Sequence, residues 1–345
     1  MADQADRAVI PPVLEIDRPL WSVMIPTYNC ADYLRQTLTS VLAQDPGADV
    51  MQIQVVDDHS TLDDPEAVVK ELGQGRVEFY RQPHNKGYIR NFETCLQRSH
   101  GHLVHLLHGD DYVLDGFYQH LQQAFEQHPE IGAAFCRHWY VNESGEVEAP
   151  SPLELPEGGI LPEWLERIAS GQRLTTPSIA VRRLVYEQLG GFDRRFVCAG
   201  EDWEMWVRIA AHYPVWFEPE PLAAYRVTRA GSLTAGAARN HRLVQDMRKA
   251  TEIIESYLSN HLAKRQADRA AAQARRLYAS WALGTAEKLL ITQDWQGAIA
   301  QIEEALRCSR ALAIRRDVLR LRCKIQLSSL RQRMNQWKNA GRQAS

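Results

Sequence analysis

A buried-strand pattern that stops at two adjacent acids is the feature that most constrains the fold of this chain. The run 103–107 predicts a strand of a buried parallel sheet, and His108-Gly109-Asp110-Asp111 follows it directly. Two neighbouring carboxylates repel each other, so they are kept at a surface or beside a cation. Open α/β sheets bind ligands just outside the carboxyl ends of their strands. The stretch therefore predicts either an ordinary surface turn or a cation-dependent ligand site.

Strands and helices alternate strictly before this stretch. Apolar or β-prone runs at 21–25, 51–56 and 76–80 each precede a segment with helical periodicity. The alternation predicts a mostly parallel sheet with helices on both faces. Polar segments follow three of the strands, at Pro26 to Asn29, Asp57 to Ser60 and His108 to Asp111. In a parallel sheet these segments share one edge, which predicts a crevice for a phosphorylated or nucleotide ligand.

A second informative stretch, Gly200-Glu201-Asp202-Trp203, opens a predicted helix whose apolar positions share one face. An acid in the first turn is favourable for the helix dipole, which is one explanation for Asp202. A functional carboxylate is the other explanation. Trp203 and Trp206 fit equally well as packed helix core or as the wall of a binding site.

Composition excludes several classes of protein. With 345 residues, 24% charged residues and a formal net charge of -3, we expect two or three soluble domains that bind no nucleic acid. The six cysteines are scattered without a CxxC pair, which predicts reduced thiols rather than disulfides or a zinc site. No segment has the apolar core of a signal peptide or the roughly 18 apolar residues of a membrane span, so a cytoplasmic protein is expected.

We expect a flexible N-terminal arm at 1–19, a sheet domain at 20–235 and an all-α accessory domain at 236–345. Within the last part, 278–290 and 295–308 resemble a helical hairpin of the tetratricopeptide sort. Between Arg310 and Arg342 there are ten Lys or Arg residues and one acid. This basic tail is either a solvated helix face or a contact for an anionic membrane surface or a protein partner.

Five motifs in this order resemble those of family 2 of the inverting glycosyltransferases. They lie between Trp21 and Thr228 and are Ser22-Val23-Met24-Ile25-Pro26-Thr27-Tyr28-Asn29, Val55-Val56-Asp57-Asp58-His59-Ser60, Asn85-Lys86-Gly87 with Arg90-Asn91, His108-Gly109-Asp110-Asp111, and Gly191-Phe192-Asp193 with Gly200-Glu201-Asp202-Trp203. The resemblance implies a GT-A fold, which is a Rossmann-like, mixed and mostly parallel sheet with flanking helices, followed here by an all-α C-terminal region. It also implies a nucleotide-sugar donor and a divalent cation, Mn2+ or Mg2+.

The resemblance assigns a role to each motif. The loop that packs on the nucleotide corresponds to Pro26, Thr27, Tyr28 and Asn29. The acids that bind base or ribose correspond to Asp57 and Asp58. The basic groups that face the diphosphate correspond to Lys86 and Arg90. The metal-binding acids correspond to Asp110 and Asp111, of which Asp110 also contacts the nucleotide sugar. Asp202 corresponds to the catalytic base, and Glu201 is its nearest rival.

One position departs from the family pattern, because His108 stands where the motif has its first acid. Any ribose or metal contact of that position is therefore left open. A metal site made of His102, His105 and His108 is disfavoured, since residue 105 of a strand points opposite to residues 102 and 108.

Together these implications predict a metal-dependent inverting enzyme of polysaccharide biosynthesis. It would transfer one sugar from a nucleotide-diphosphate sugar, with UDP favoured, to a hydroxyl of a glycan, a lipid-linked glycan or a protein. A processive synthase is not expected, since the chain has no Gln-x-x-Arg-Trp motif. A nucleotidyltransferase would open with a glycine-rich phosphate loop, which Pro26 to Asn29 does not resemble. Two alternatives stay open: an inert nucleotide-sugar-binding scaffold that acts through its helical region, and a peripheral location at the inner face of the membrane.

Overall fold

The computed structural model describes residues 6–15, 17–227 and 241–343, with side chains as far as Leu327. The chain forms two compact units, Met1–Ser232 and Leu233–Ser345. The expected domain boundary at 235/236, residues 1–5 of the expected arm and the side chains of the distal basic tail lie outside the described part. No helix in the described part is long and apolar enough to cross a membrane.

The first unit is built on one sheet that ten strands form within the described residues. The strands are β1 Trp21–Thr27, β2 Met51–Asp57, β3 Glu78–Arg81, β4 Leu103–Leu106, β5 Tyr112–Val113, β6 Ala133–Val141, β7 Val147–Pro150, β8 Gly159–Ile160, β9 Ile179–Arg182 and β10 Val215–Arg226. The helices of this unit are α1 Ala31–Leu42, α2 Pro65–Gly73, α3 Tyr88–Arg98, α4 Phe117–Gln127, α5 Trp164–Ala169, α6 Arg183–Leu189 and α7 Glu201–His212.

The sheet follows the order β3-β2-β1-β4-β9-β6-β10-β5. Strands β3, β2, β1 and β4 are parallel, whereas β9 runs antiparallel to both β4 and β6. Strands β6 and β10 are again parallel to each other, and β5 pairs antiparallel with β10. The predicted fold class, a mixed and largely parallel sheet with flanking helices, is confirmed. Its carboxyl-end edge carries the loops that follow β1, β2 and β4.

Local chemistry explains why these segments adopt these elements. Strands β1 and β2 are buried at every position, as expected for central strands covered on both faces. Helix α1 turns Leu34, Leu38 and Val41 into the core beneath the sheet. At α2, the Asp64 side chain accepts a hydrogen bond from the Ala67 N–H, and Pro65 occupies the first turn.

The described part of the expected N-terminal arm is packed against the sheet unit. Ala8 and Ile10 are 2% and 1% exposed. Arg7 forms a β-bridge with Asp193, and its guanidinium donates a 2.9 Å hydrogen bond to Glu204 in α7. Residues 7–10 are therefore held by apolar burial and by an ion pair in which both side chains are buried.

The second unit is helical, as predicted. Its described helices are α8 Arg242–Leu258, α9 Lys264–Ile291, α10 Trp295–Cys308 and α11 Leu312–Gln343. The expected hairpin is present as α9 and α10, and its core is made mainly of small residues, namely Ala279, Ala282, Ala286, Ala298 and Ala305. The Asp294 side chain caps α10 by accepting a hydrogen bond from the Gly297 N–H. Small side chains at these positions let the two helices approach closely.

Candidate functional site

Backbone hydrogen bonds tie the strand-end loops to one another at the carboxyl edge of the sheet. The Asp58 N–H donates to the Thr27 carbonyl at 2.9 Å, and the Gly109 N–H donates to the Pro26 carbonyl at 3.0 Å. Asn29 has a positive φ of 48°, and its side-chain oxygen accepts hydrogen bonds from the amides of residues 61 and 62. The structure thus brings together the three polar segments that were expected to share one edge.

The two acids after β2 have different surroundings. Asp57 is fully buried, and its carboxylate accepts hydrogen bonds from Ser60 and from the Arg81 guanidinium, which holds the loop in shape. Asp58 accepts from the backbone amides of Lys86 and Gly87 at 2.8 and 3.0 Å. Burial raises the pKa of Asp58, although these two amides oppose the shift.

One aromatic and two basic side chains of the predicted site are exposed. Tyr28 is 43% exposed, so its ring is available to a planar ligand. Lys86 and Arg90 are exposed and line one surface cleft together with Arg194. Glu93 partly neutralises the cleft by pairing with both arginines.

The loop His108–Asp111 is held rigidly from two elements. Thr37 in α1 donates a 2.6 Å hydrogen bond to the Asp111 carbonyl. The Arg226 N–H, at the end of β10, donates to Asp111 Oδ1 at 2.8 Å, and its guanidinium Nε donates to the Asp110 carbonyl at 3.0 Å. The same guanidinium also donates to the carbonyls of residues 142 and 143. The backbone of the loop and the Asp111 carboxylate are therefore held in place by groups of the protein.

Gly109 allows this loop to lie against the end of β1. A Cβ atom at position 109 would meet Thr27 Oγ1 at 3.0 Å and Cys30 Sγ at 3.2 Å. Thr27 Oγ1 and Cys30 Sγ are themselves 2.9 Å apart and buried, so they have little room to move.

The side chains of this loop fit a divalent cation. His108, Asp110 and Asp111 each offer a ligand atom, and these atoms all lie within 4.8 Å of one another. Carboxylate oxygens with one imidazole nitrogen are a set that divalent metals accept. Burial lowers the pKa of His108, which favours the neutral ring that binds metals.

The three-histidine alternative is excluded by the contacts of the other two rings. His105 is fully buried and lies within hydrogen-bond distance of the Tyr118 hydroxyl and the Pro177 carbonyl. His102 contacts the Arg18 guanidinium.

Asp202 lies in the first turn of α7 with both carboxylate oxygens engaged. Oδ1 accepts from the Trp203 N–H at 2.7 Å, and Oδ2 accepts from Gln172 Nε2 at 2.6 Å. Burial raises the pKa of Asp202 to about 6, against the opposing effect of these donors. A carboxyl with this pKa is suited to accept a proton near neutral pH. The rival acid, Glu201, is buried and accepts a 3.1 Å hydrogen bond from the Tyr88 hydroxyl.

Tyr225 in β10 connects Asp202 with the acids of the β4 loop. The pKa of its hydroxyl is raised first by burial and then by the charges of Asp111, Asp202 and Asp110. The charges of both groups of carboxylates therefore act on one buried phenol. Its ring also contacts the Tyr140 ring edge to face, at 6.2 Å between centroids.

Sequence reasoning missed Gln172, Tyr225 and Arg226. The run 215–217 followed by 222–225 carries a β-strand signal that would have predicted β10 and hence the last two residues. Gln172 has no comparable signal, because it meets Asp202 only through the fold. Trp203 and Trp206 are 0% and 2% exposed, so the core alternative for them is confirmed.

Comparisons with known proteins agree with this geometry. Residues 22–189 match the family model described as Glycosyl transferase family 2. The O-antigen biosynthesis protein RfbC of Myxococcus xanthus is 29% identical over 210 residues, which cover 56% of this chain and 16% of that protein.

Two solved structures share the fold. TarS 1-349 of S. aureus in complex with UDP-GlcNAc has a TM-score of 0.62 and 18% identity, over 83% of this chain and 81% of that one. Mannosyltransferase PcManGT from Pyrobaculum calidifontis, in complex with GDP-Man and Mn2+, has a TM-score of 0.52 and 20% identity, over 88% and 90%. The GT-A-like fold inferred from the motifs is confirmed by these likenesses.

Proposed function

Because residues 22–189 form a family 2 glycosyltransferase domain, we propose that this glycosyltransferase moves one sugar from a nucleotide-diphosphate sugar to an acceptor hydroxyl, with inversion of configuration. The acceptor is a glycan, a lipid-linked glycan or a protein. The likeness to an O-antigen biosynthesis protein supports a role in polysaccharide biosynthesis. The proposed domains are 20–235 for transfer and 236–345 as a helical accessory region, and the proposed location is the cytoplasm.

The observation that carries the proposal is the site itself, in which Asp110 and Asp111 offer ligand atoms within 4.8 Å of each other and two donors hold the Asp202 carboxylate. In it Asp202 accepts the proton of the acceptor hydroxyl while that oxygen attacks the anomeric carbon. Gln172 holds Oδ2 of the same carboxylate and so fixes its direction. One displacement on the face opposite the leaving nucleotide inverts the anomeric centre.

A divalent cation, Mn2+ or Mg2+, is proposed at Asp110 and Asp111. When bound there, it would offset the negative charge that develops on the departing diphosphate. Arg226 and Thr37 hold the loop backbone and the Asp111 carboxylate, so the loop needs little reorganisation when the ion arrives.

The nucleotide is proposed to lie across the loops after β1 and β2. Its base packs on Tyr28 beside Pro26, Thr27 and Asn29. Asp58, next to Asp57 and held by the amides of Lys86 and Gly87, faces base or ribose. Lys86 and Arg90 supply positive charge to the diphosphate from the cleft. The complex of TarS with UDP-GlcNAc supports a UDP-sugar as the donor, and that of PcManGT with GDP-Man and Mn2+ supports a guanine nucleotide as the second choice.

A thermal-shift panel of UDP-, GDP- and dTDP-sugars, each with and without Mn2+, tests the proposal. We expect one nucleotide class to raise the melting temperature only with metal, and the shift to vanish in the double variant Asp110→Ala/Asp111→Ala. The double variant Asp17→Ala/Asp49→Ala, which removes two exposed acids ahead of the amino ends of β1 and β2, is the matched control and should keep the shift. Absence of a shift with every nucleotide would reject the donor site and with it the proposed transfer.

A further inference from the structure

His108 is held in place by the backbone hydrogen bonds of its two neighbours and by one aromatic contact of its ring. The preceding residue, Leu107, donates to the Met24 carbonyl at 3.0 Å, and the following residue, Gly109, donates to the Pro26 carbonyl at 3.0 Å. The imidazole stacks on the Phe92 ring, with 5.0 Å between centroids and 21° between planes. The side chain is 25% exposed, so one part of the ring is reachable from solvent.

The two ring nitrogens of His108 are poorly satisfied by the protein. Nε2 is buried and has no hydrogen-bond partner among the described residues. Nδ1 lies 3.7 Å from Asp111 Oδ2, which is too long for a hydrogen bond. Nδ1 therefore faces the Asp111 carboxylate with no hydrogen bond between them, and it is the ring nitrogen placed to share an ion with that carboxylate.

A shared cation gives the 3.7 Å separation a simple meaning. Two ligand atoms that each lie about 2.1 Å from one metal ion are about 3.0 Å apart at a right angle and about 3.4 Å apart at a tetrahedral angle. Nδ1 and Asp111 Oδ2, at 3.7 Å, need only a small approach to reach that spacing. Asp110 completes the set within 4.8 Å, and rotation of its half-buried side chain can bring its carboxylate closer.

We propose that His108 is itself a ligand of the divalent cation, and that it makes the site select Mn2+ or Co2+ over Mg2+. The inference rests on the proposed function, because it assumes the metal site of Asp110 and Asp111. Imidazole binds first-row transition ions, whereas Mg2+ keeps oxygen ligands and its water. Replacing an acid by His108 therefore exchanges one hard oxygen for one nitrogen and removes one negative charge.

Pulsed EPR of the whole chain with Mn2+, alone and with UDP, tests the ligand directly. We expect a nitrogen coupling of directly bound imidazole in the wild-type protein. Labelling only the histidines with 15N should convert that coupling from the 14N to the 15N pattern, which separates it from nitrogen of the nucleotide. In His108→Asp the coupling should be absent while Mn2+ still binds.

Selectivity gives the second readout. By calorimetric titration of Mn2+ and Mg2+, the ratio of the two affinities should fall at least about tenfold in His108→Asp, since the oxygen set no longer favours the transition ion. His102→Ala, just before β4 and paired with Arg18 rather than with the acids, should keep the wild-type ratio. The inference is overturned by a wild-type spectrum without histidine coupling, or by an unchanged affinity ratio in His108→Asp. In either case, metal-dependent nucleotide binding would leave the proposed function standing. Failure of every divalent ion to bind would overturn both.

Discussion

Gln172 Nε2 donates a 2.6 Å hydrogen bond to Asp202 Oδ2, from the loop after α5 to the first turn of α7. The other carboxylate oxygen accepts from the Trp203 N–H, so the direction of the carboxylate is set by both oxygens. Burial opposes the ionised form of Asp202, and these donors favour it. The balance leaves Asp202 as a base whose ionisation lies close to neutral pH.

Replacing Asp202 by Asn should slow sugar transfer by about 10²- to 10⁴-fold, the size of a general-base effect. The amide keeps the shape of the side chain but accepts no proton from the acceptor. The nucleotide-dependent thermal shift should stay close to that of the wild type, because Asp202 is not expected to hold the diphosphate. Steady-state transfer assays check the rate, and an Asn variant with full activity would contradict the assignment.

The pH dependence of transfer should follow the ionisation of Asp202. Since the base acts when ionised and burial raises its pKa to about 6, activity should rise as the pH increases through about 6. Gln172→Leu removes a donor that stabilises the ionised form, so the rising limb should move to higher pH. Gln119→Leu, on the exposed face of α4, is the matched control and should leave the profile in place. An unshifted profile in Gln172→Leu would mean that Gln172 has only a packing role.

The same carboxyl should make the fold less stable at neutral pH. Its pKa in the folded state is about 6, above its ordinary value of 3.8, so between these values the folded chain binds more protons than the unfolded chain. The free energy of unfolding therefore falls as the pH rises through this window and stays lower above it. Asp202→Asn should melt at a higher temperature than the wild type at pH 7.5, and the difference should shrink towards pH 4. Equal melting temperatures at pH 7.5 would contradict a raised pKa.

Arg226 should be required for metal-dependent nucleotide binding without touching the ligand. Its guanidinium joins the carbonyls of Asp110, Asn142 and Glu143, a pattern that a lysine ammonium cannot reproduce. We expect Arg226→Lys to weaken nucleotide affinity in the presence of Mn2+ by about tenfold or more and to lower the melting temperature.

Arg137→Lys is the matched control for this prediction, since Arg137 on the neighbouring strand β6 donates to one carbonyl, that of Ser151. Calorimetric titration of UDP with Mn2+ measures the affinity of both variants. An Arg226→Lys protein with wild-type affinity would show that the loop of Asp110 and Asp111 holds its shape alone.

Sequence reasoning found the site residues that lie just beyond the ends of strands. Asp58 and Asp110 each come directly after an apolar run, and the parallel order of β1, β2 and β4 brings them to one edge. Gln172 and Arg226 support functional carboxylates from elements distant in the chain, and no local pattern encodes such contacts. The antiparallel β9 was also beyond reach, because a short apolar strand carries no information about its direction.

Gly109 should be the least replaceable glycine of the site. A methyl group at this position would meet Thr27 Oγ1 and Cys30 Sγ at 3.0 and 3.2 Å, so the loop would have to move away from β1. That movement would weaken the 3.0 Å hydrogen bond from the Gly109 N–H to the Pro26 carbonyl and displace both neighbouring acids. We therefore expect Gly109→Ala to lower metal-dependent nucleotide affinity by about tenfold or more, with a lower melting temperature.

Gly284→Ala is the matched control. Its Cβ would meet no atom within 4 Å, and alanine favours the α9 helix by about 1 kcal/mol. If both alanine variants bind UDP and Mn2+ like the wild type, the tight contact at β1 does not set the position of Asp110 and Asp111.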